Sequence, residues 1–354
     1  MKTYKIALYP GDGIGPEVIA EAERVLAAVQ KRHGFAIDYV RLPWGYEYFQ
    51  KHGKVVPDDF LEVLRPLDAV LLGAVGWPEK IPDHVTLAPL VKIRQTFEQY
   101  ACIRPSKLLP GVRSVLAGKG PDDIDFVVLR ENSEGEYVDS GSRFHHGRDD
   151  EFALQTAIHT RRGVERILRF GFEMARKRRK RLTMITKSNA QRYAYTLWDD
   201  LLELVKPDYP DVAADKLHCD AAAMDFVRRP ERFDVVVASN LFGDLLTDLG
   251  GVIGGGLGLA PSTNTNPERK YPSMFEPVHG SAPDIAGRGI ANPVAAVLSV
   301  AMMLDWLGED AAAATVRRAV EATLAAGKHT PDLGGTLSTS QMGTALVQAI
   351  EASS

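Results

Sequence analysis

The 354-residue chain is poor in cysteine: only Cys102 and Cys219 occur, far apart and outside any CxxC pair. That argues against a disulfide framework and against a thiolate metal centre, and fits a reducing cytoplasm. An excess of either charge is also missing, with 42 Lys plus Arg against 46 Asp plus Glu and a net charge of −4. A chain so balanced has no global field for gripping nucleic acid or an anionic membrane. Long hydrophobic runs are absent: the most apolar stretch, residues 295–304, stops at Asp305, well short of the roughly 20 residues needed to cross a bilayer. The opening MKTYKIALYPGDG has too short an apolar stretch for a signal peptide, so a soluble cytoplasmic protein is expected. No HExxH or GxSxG occurs, and Gly118-Lys119-Gly120 lacks the spacing and the Ser/Thr of a Walker loop.

What is present reads as an ordinary globular chain, 45% hydrophobic and 25% charged, long enough for two domains. Short apolar runs at residues 5–9, 36–40, 69–72, 126–129, 182–185 and 235–238 alternate with helical patterns, the signature of a largely parallel α/β sheet. Residues 16–30 begin a helix with a proline, residues 163–181 carry apolar side chains at helical spacing, and residues 293–352 are alanine-rich and mostly helical by propensity. Residues 139–152 are polar and glycine-punctuated, an exposed arm, and residues 250–258 form a glycine-rich bend. The strand-like runs lead into Arg130-Glu131-Asn132, Thr186-Lys187-Ser188-Asn189 and Ser239-Asn240. Ligands bind beyond the carboxyl ends of strands in such sheets, so these residues point to one composite site.

Each motif has a plain structural reading beside the chemical one. Gly11-Asp12-Gly13-Ile14-Gly15-Pro16 follows a strand and opens a helix, yet proline stands where a dinucleotide fingerprint needs its third glycine. Asp244 and Asp248, four apart on a helix with no basic residue between Arg232 and Arg269, are either a solvated face or a pair for a hard divalent cation. Asp220 is a helix N-cap or a third such carboxylate. Arg94, Arg104 and Arg130 are surface arginines, or together a bidentate grip on a substrate with two carboxylates. Tyr137 is a packing residue or an acid. Lys187, at a strand end, could serve as a base if burial near cations lowered its pKa. The basic run 176–181 is a solvated helix end in preference to a nucleic-acid patch, since no aromatics interleave it.

Taken together, PGDGIGPEV (10–18), RENSEGEY (130–137), TKSN (186–189), SNLFGDLLTD (239–248) and EPVHGSAPDIAGRGIANP (276–293) resemble the β-decarboxylating dehydrogenases, the isocitrate/isopropylmalate dehydrogenase family. GAVGWP (73–78), PDH (82–84) and NPERKYPSMFEPVHG (266–280) are most similar to its tartrate/D-malate group. The resemblance implies an α/β fold of the isopropylmalate dehydrogenase type, with two α/β domains sharing a largely parallel mixed sheet. Residues 1–98 and 255–354 would form the larger, NAD-binding domain. Residues 99–254 would form the smaller one, with a dimer-clasping arm. It further implies that Arg94, Arg104 and Arg130 bind the malate moiety, with Leu90 at the C3 substituent. Asp220, Asp244 and Asp248 would hold Mg²⁺ or Mn²⁺, with K⁺ a candidate monovalent cofactor. Lys187 would take the 2-hydroxyl proton and Tyr137 would protonate the enolate. His279, Gly280, Ser281, Ala282, Asp284 and Asn292 would line the adenosine half of NAD, and the Asp284 carboxylate would repel the 2′-phosphate of NADP. Lys187 and Asp220 would serve a neighbouring subunit, making a homodimer with shared active sites, without nucleic-acid or membrane partners.

The implied reaction is oxidative decarboxylation of a (2R)-2-hydroxy diacid: D-malate to pyruvate and CO₂, tartrate oxidation, or both. Residues 82–94, PDHVTLAPLVKIR, are expected as a loop facing the C3 substituent, and they depart from every subgroup, with Leu87, Ala88 and Leu90 at the informative positions. Leu90 and Val91 would suit an alkyl group, so a 3-isopropylmalate or other alkylmalate dehydrogenase is the alternative. A non-catalytic regulatory subunit is a further one, against which the retention of Lys187, Tyr137 and three aspartates speaks.

Overall fold

The computed structural model describes residues 2–352. In chain order its elements are β1 (Thr3–Gly11), α1 (Gly15–His33), β2 (Ala36–Arg41), α2 (Tyr46–His52), α3 (Phe60–Leu64), β3 (Ala69–Ala74), α4 (Asp83–Thr96), β4 (Ala101–Lys107), β5 (Asp125–Glu131), β6 (Gly141–Phe144), β7 (Phe152–Gln155), α5 (Arg161–Arg176), β8 (Arg181–Thr186), α6 (Arg192–Val205), β9 (Ala213–His218), α7 (Cys219–Arg228), β10 (Val235–Ala238), α8 (Asn240–Ile253), β11 (Pro261–Thr265), β12 (Ser273–Pro277), α9 (Val294–Leu307), α10 (Asp310–Ala325) and α11 (Thr339–Ala352).

Ten strands form one mixed sheet in the order β2-β1-β3-β12-β11-β4-β5-β10-β8-β9. The outer ladders are parallel on both sides. The three central ladders, β12–β11, β11–β4 and β4–β5, are antiparallel. One half of the sheet is therefore built from both ends of the chain and the other from its middle.

Helices cover both faces of each half. On β1, Ile6 and Leu8 pack towards α1 and α9–α11, whereas Ala7 and Tyr9 pack towards α2–α4. On β5, Val127 and Leu129 face α5 and α6, while Phe126 and Val128 face α7 and α8. Strands such as β1 and β5, covered by apolar side chains on both sides, read as continuous apolar runs, which is why their positions could be read directly.

Three local expectations change. Residues 82–94 are not a loop: α4 starts at Asp83, its first turn carries an acidic residue that complements the helix dipole, and Pro89 is accommodated inside it. The helix expected over 163–181 ends at Arg176, because Lys180 takes a left-handed conformation (φ 60°) and Arg181 already pairs in β8. The glycine-rich bend begins only at Gly254, since Gly250 and Gly251 belong to α8. Around residues 139–152 the chain forms an exposed two-stranded hairpin, β6–β7, that is separate from the ten-stranded sheet.

Candidate active site

Strand alternation sets up the site. The register pairs Cys102 with Arg130 and Arg104 with Val128, so Arg104 and Arg130 project from the same sheet face on adjacent strands. Helix α8 crosses above them at very short range. A Cβ on Gly243 would stand 2.7 Å from the Arg130 side chain, so only glycine lets α8 descend far enough to bring Asn240 and Asp244 onto the guanidinium. From the other side α4 offers Leu87, Leu90, Val91 and Arg94, one helical face by their spacing.

These residues line a cleft of about 240 Å³ that also includes Tyr137. Arg130 donates to Asn240 Oδ1 from Nε and Nη2, at 2.9 and 2.7 Å, and its Nη1 meets the Asp244 carboxylate. Arg104 Nη1 donates to Thr247 Oγ1 at 2.7 Å and lies 3.3 Å from Asp244 Oδ1. Tyr137 donates its hydroxyl proton to Asp244 Oδ2 at 2.9 Å and lies against Arg130, 5.2 Å from ring centre to guanidinium. Arg94 pairs with Glu276 at 3.0 Å, and Asn264 donates to the same carboxylate at 2.7 Å. The buried Nε of Arg94 has no partner among the described residues. Three guanidinium groups thus face two carboxylates, with a donor to spare, which suits a small anion carrying more than one carboxylate.

The charges shift one another as this geometry requires. Burial pushes the Asp244 carboxyl up, but Arg130 and Arg104 outweigh it and hold the group below its ordinary pKa. Burial, and after it repulsion from Arg104, lowers the pKa of Arg130. Tyr137 is raised, by burial first and then by Asp244, so its hydroxyl stays protonated at neutral pH.

One turn beyond Asp244, Asp248 has neither a hydrogen bond nor an ion pair among the described residues. Two carboxylates on one helix face, one of them uncommitted, fit a hard cation that takes oxygen donors. Among the described residues no three acidic, histidine or cysteine side chains cluster closely enough to enclose a metal. Asp220 is not beside them. It forms a 2.8 Å ion pair with Lys187 Nζ, outside the arginine cleft. Nor is Asp220 the N-cap of α7: His218 holds that position, and Asp220 lies in the first turn. Lys187 is not buried among cations either, and the hydrogen bond to Asp220 raises its pKa.

The expected cofactor segment follows β12. Ser281 accepts a 2.8 Å hydrogen bond from the Ile14 amide through its carbonyl, and a Cβ on Gly13 (φ 57°) would fall 1.9 Å from that oxygen. The glycine turn after β1 is therefore filled by the chain itself, with Asp12 accepting from the Tyr46 and Gly76 amides at 2.6 and 2.8 Å. This is why its pattern departs from a phosphate-cradling fingerprint. Burial lowers the pKa of His279, and its buried Nε2 lacks a partner. Ala282 adopts φ 38°, and the exposed Asp284 carboxylate is unpaired among the described residues. A neutral imidazole with a free ring nitrogen and an unpaired carboxylate suit a nucleoside with free ribose hydroxyls. Asn292 is already engaged: its amide nitrogen donates to Asp332 at 3.0 Å and its oxygen accepts from Val294 N at the start of α9.

Of the residues singled out in the sequence, Leu90, Arg94, Arg104, Arg130, Tyr137 and Asp244 share the cleft; Lys187 and Asp220 form a separate pair, and 279–284 with Asn292 a third group. Asn240, read from the sequence at a strand end, also lies in the cleft; Thr247 and Glu276 were not singled out. Thr247 shares the face of α8 that carries Asp244, so its spacing from it was the available signal; Glu276 had no such signal.

The sequence model of the isocitrate/isopropylmalate dehydrogenase family matches residues 5–346. The D-malate dehydrogenase (decarboxylating) of Escherichia coli strain K12 is 50% identical over 358 residues, 99% of each chain. A tartrate dehydrogenase/decarboxylase of Pseudomonas putida is 49% identical over 353 residues, 97% of each chain. Among solved structures, isocitrate dehydrogenase from Methylococcus capsulatus superposes with a TM-score of 0.89 at 35% identity, covering 98% of this chain and 99% of that one.

Proposed function

The chain belongs to the isocitrate/isopropylmalate dehydrogenase family, and from that premise we propose that it catalyses NAD- and divalent-metal-dependent oxidative decarboxylation of a (2R)-2-hydroxy diacid, D-malate or tartrate foremost. The observation that carries the reading is the convergence of Arg94, Arg104, Arg130, Tyr137 and Asp244 on one small cleft. The three arginines hold and orient the two carboxylates of the substrate. Lys187 would take the proton of the 2-hydroxyl in its neutral form, which release from Asp220 favours, and Tyr137, protonated at neutral pH, would deliver a proton to C3 after the C3–C4 bond breaks. Asp244, Asp248 and a partner's Asp220 would hold Mg²⁺ or Mn²⁺, and residues 279–284 with Asn292 the dinucleotide. When bound, the cation supplies Lewis-acid charge at the C1 carboxylate and the dinucleotide accepts the hydride of C2.

The placing of Lys187 and Asp220 in a neighbouring subunit's site requires a homodimer. Supporting it, Met224 and Val227 on α7 and Leu245 and Val252 on α8 are exposed, as are Phe144, Phe152 and Leu154 on the β6–β7 hairpin; that hairpin is the proposed clasping arm. The halves meeting near residues 98 and 254 are proposed as two domains closing over the cleft. No helix among the described residues is long and apolar enough to cross a membrane, consistent with a cytoplasmic enzyme.

NADH formation from NAD⁺ and Mn²⁺, with D-malate, L-malate, the tartrate isomers, 3-isopropylmalate and isocitrate, each with and without chelator, tests this. Turnover of D-malate or a tartrate, abolished by chelator, is expected. Faster turnover of 3-isopropylmalate would favour the alkylmalate reading, to which Leu87, Leu90 and Val91 at the cleft lend support. Silence across the panel in a dimer that binds NADH would overturn the assignment in favour of a regulatory subunit.

A further inference from the structure

On the sheet face opposite the arginine cleft lies a second cavity, of about 590 Å³, within the range of small-molecule sites. Its floor consists of the alternate residues of the central strands: Ile103 and Pro105 on β4, Thr263 and Thr265 on β11, and Phe275 on β12. Their neighbours Arg104 and Ser262 point the other way and bond to one another. The walls come from the two halves of the sheet, with Phe170 and Met174 from α5 and Leu298, Met302 and Trp306 from α9. Apolar side chains thus make most of the lining.

The polar groups are few and unevenly matched. At the rim, Lys107 pairs with Glu321 at 3.0 Å and Arg317 pairs with Asp305. Exposed Arg269 and Lys177 also line the cavity, and neither has an ion pair among the described residues. Arg269 instead lies 4.3 Å over the Trp306 ring. On the floor the two threonines differ. Thr265 donates its hydroxyl to the Ala101 carbonyl at 3.0 Å. Thr263, 2% exposed, has a buried hydroxyl with no partner among the described residues. A buried hydroxyl without a partner is unfavourable unless something else supplies one.

We propose that this cavity binds a small phenolic carboxylic acid. Its carboxylate meets Arg269 and Lys177 at the rim, its ring lies between Phe170, Met174 and Met302, and its phenolic oxygen accepts from Thr263 at the floor. Excess positive charge at the mouth, an apolar body and one unpaired hydroxyl at depth are the three features such a ligand complements. An occupant touches helices of both halves, so it bears on their separation. The inference stands apart from the proposed activity, and its test needs no turnover.

Calorimetric titration of the full-length protein, without dinucleotide or metal, compares 3-(4-hydroxyphenyl)propanoate with 3-phenylpropanoate and with 3-(4-hydroxyphenyl)propanamide. The phenolic acid is expected to bind best, with the amide weaker by about tenfold for loss of the charge-assisted contact. Arg269→Gln, at the exposed rim, is expected to bring the acid to the affinity of the amide and leave the amide unchanged. The near-isosteric Thr263→Val is expected to abolish the preference for the phenol over the plain phenyl. Met302→Trp, which fills the cavity, is expected to abolish all three. Equal binding of the three probes, no binding of any, or acid binding unaffected by Arg269→Gln would overturn the proposal. So would acid binding that is lost in Arg130→Gln but kept in Met302→Trp, which would locate it in the arginine cleft.

Discussion

Lys187 and Asp284 are the two side chains whose assigned work is most easily separated from their structural surroundings. Among the described residues the Lys187 amine bonds only to Asp220, so Lys187→Ala removes the proposed base without opening a core. Turnover should fall by about 10²–10⁴-fold, the range for a lost general base, while dimerisation and NADH fluorescence titrations stay close to wild type. Unchanged turnover would end its assignment. Asp284 is exposed on a loop held elsewhere by the Ser281 carbonyl, so Asp284→Arg leaves the loop anchored and exchanges repulsion of a 2′-phosphate for attraction. The ratio of kcat/KM for NADP over NAD should rise by at least about tenfold, one charge-assisted contact's worth. At this scale the sequence was informative at Arg130, a charged residue at a strand end that lies in the cleft; Lys187, at another strand end, lies outside it and pairs with Asp220. The sequence was silent on Glu276, an acid in a strand whose role as the partner of Arg94 depends on two segments far apart in the chain. It misled on the capping role of Asp220, because α7 begins at Cys219, two residues earlier than an Asp220 cap requires, and so places Asp220 in its first turn.

Helices and strands show the same division. Helix α6 is tied to the end of β8 by Asp199, which accepts from Thr186 Oγ1 at 2.7 Å, Ser188 Oγ at 2.8 Å and Lys216 Nζ at 2.6 Å. Burial acts to raise the Asp199 pKa, but these donors outweigh it and leave it lowered. A carboxyl with a lowered folded pKa contributes stability above its unfolded value, near 4, and loses it as the pH falls through the folded one. Asp199→Asn should therefore cost about 1 kcal/mol at pH 7, allowing for solvent screening. The deficit should shrink below pH 4, as read from urea unfolding at both pH values. Because Lys187 sits between two of the donors, the variant should also raise the B-factors of residues 186–189 in a crystal. The buried parallel strands could be read as apolar runs, but β11 and β12 could not. Ser262, Asn264 and Glu276 point from those strands to the arginine network, and polar side chains there break the apolar pattern. Edge strand β9 was equally hidden, since AADKLH is half exposed. The overrun of α5 has another cause: lysine and arginine are good helix formers, and the left-handed turn at Lys180 with the pairing of Arg181 and Ala213 ends the helix.

For the molecule as a whole, the proposed dimer makes the sharpest demand. Leu245 is 63% exposed on α8, one residue from Asp244, and Met224 is 55% exposed on α7. If these faces meet their counterparts in a second copy, Leu245→Glu with Met224→Glu should give a monomer by sedimentation. That monomer should still bind NADH, through a segment distant in sequence from α7 and α8, yet turn over no substrate. A monomeric wild type would contradict the shared site. The α/β class was legible from alternation alone, but the central antiparallel ladders were not, since nothing local announces that residues 261–277 return to the strands formed by residues 69–74 and 101–107. That return also fixes the order in which the protein can be finished on the ribosome. Residues 101–238 can pair β4, β5, β10, β8 and β9 as soon as they emerge. The first strands can pair with one another, but the face of β1 that carries Ile6 and Leu8 stays uncovered until α9–α11 are made, β3 lacks β12, and the turn after β1 closes on Ser281. Long-range closure of this kind is slow and leaves apolar surface uncovered meanwhile. The opening hundred residues are thus the stretch most in need of a chaperone, and a nascent chain stalled before residue 261 should protect its middle from protease while its beginning is still cut.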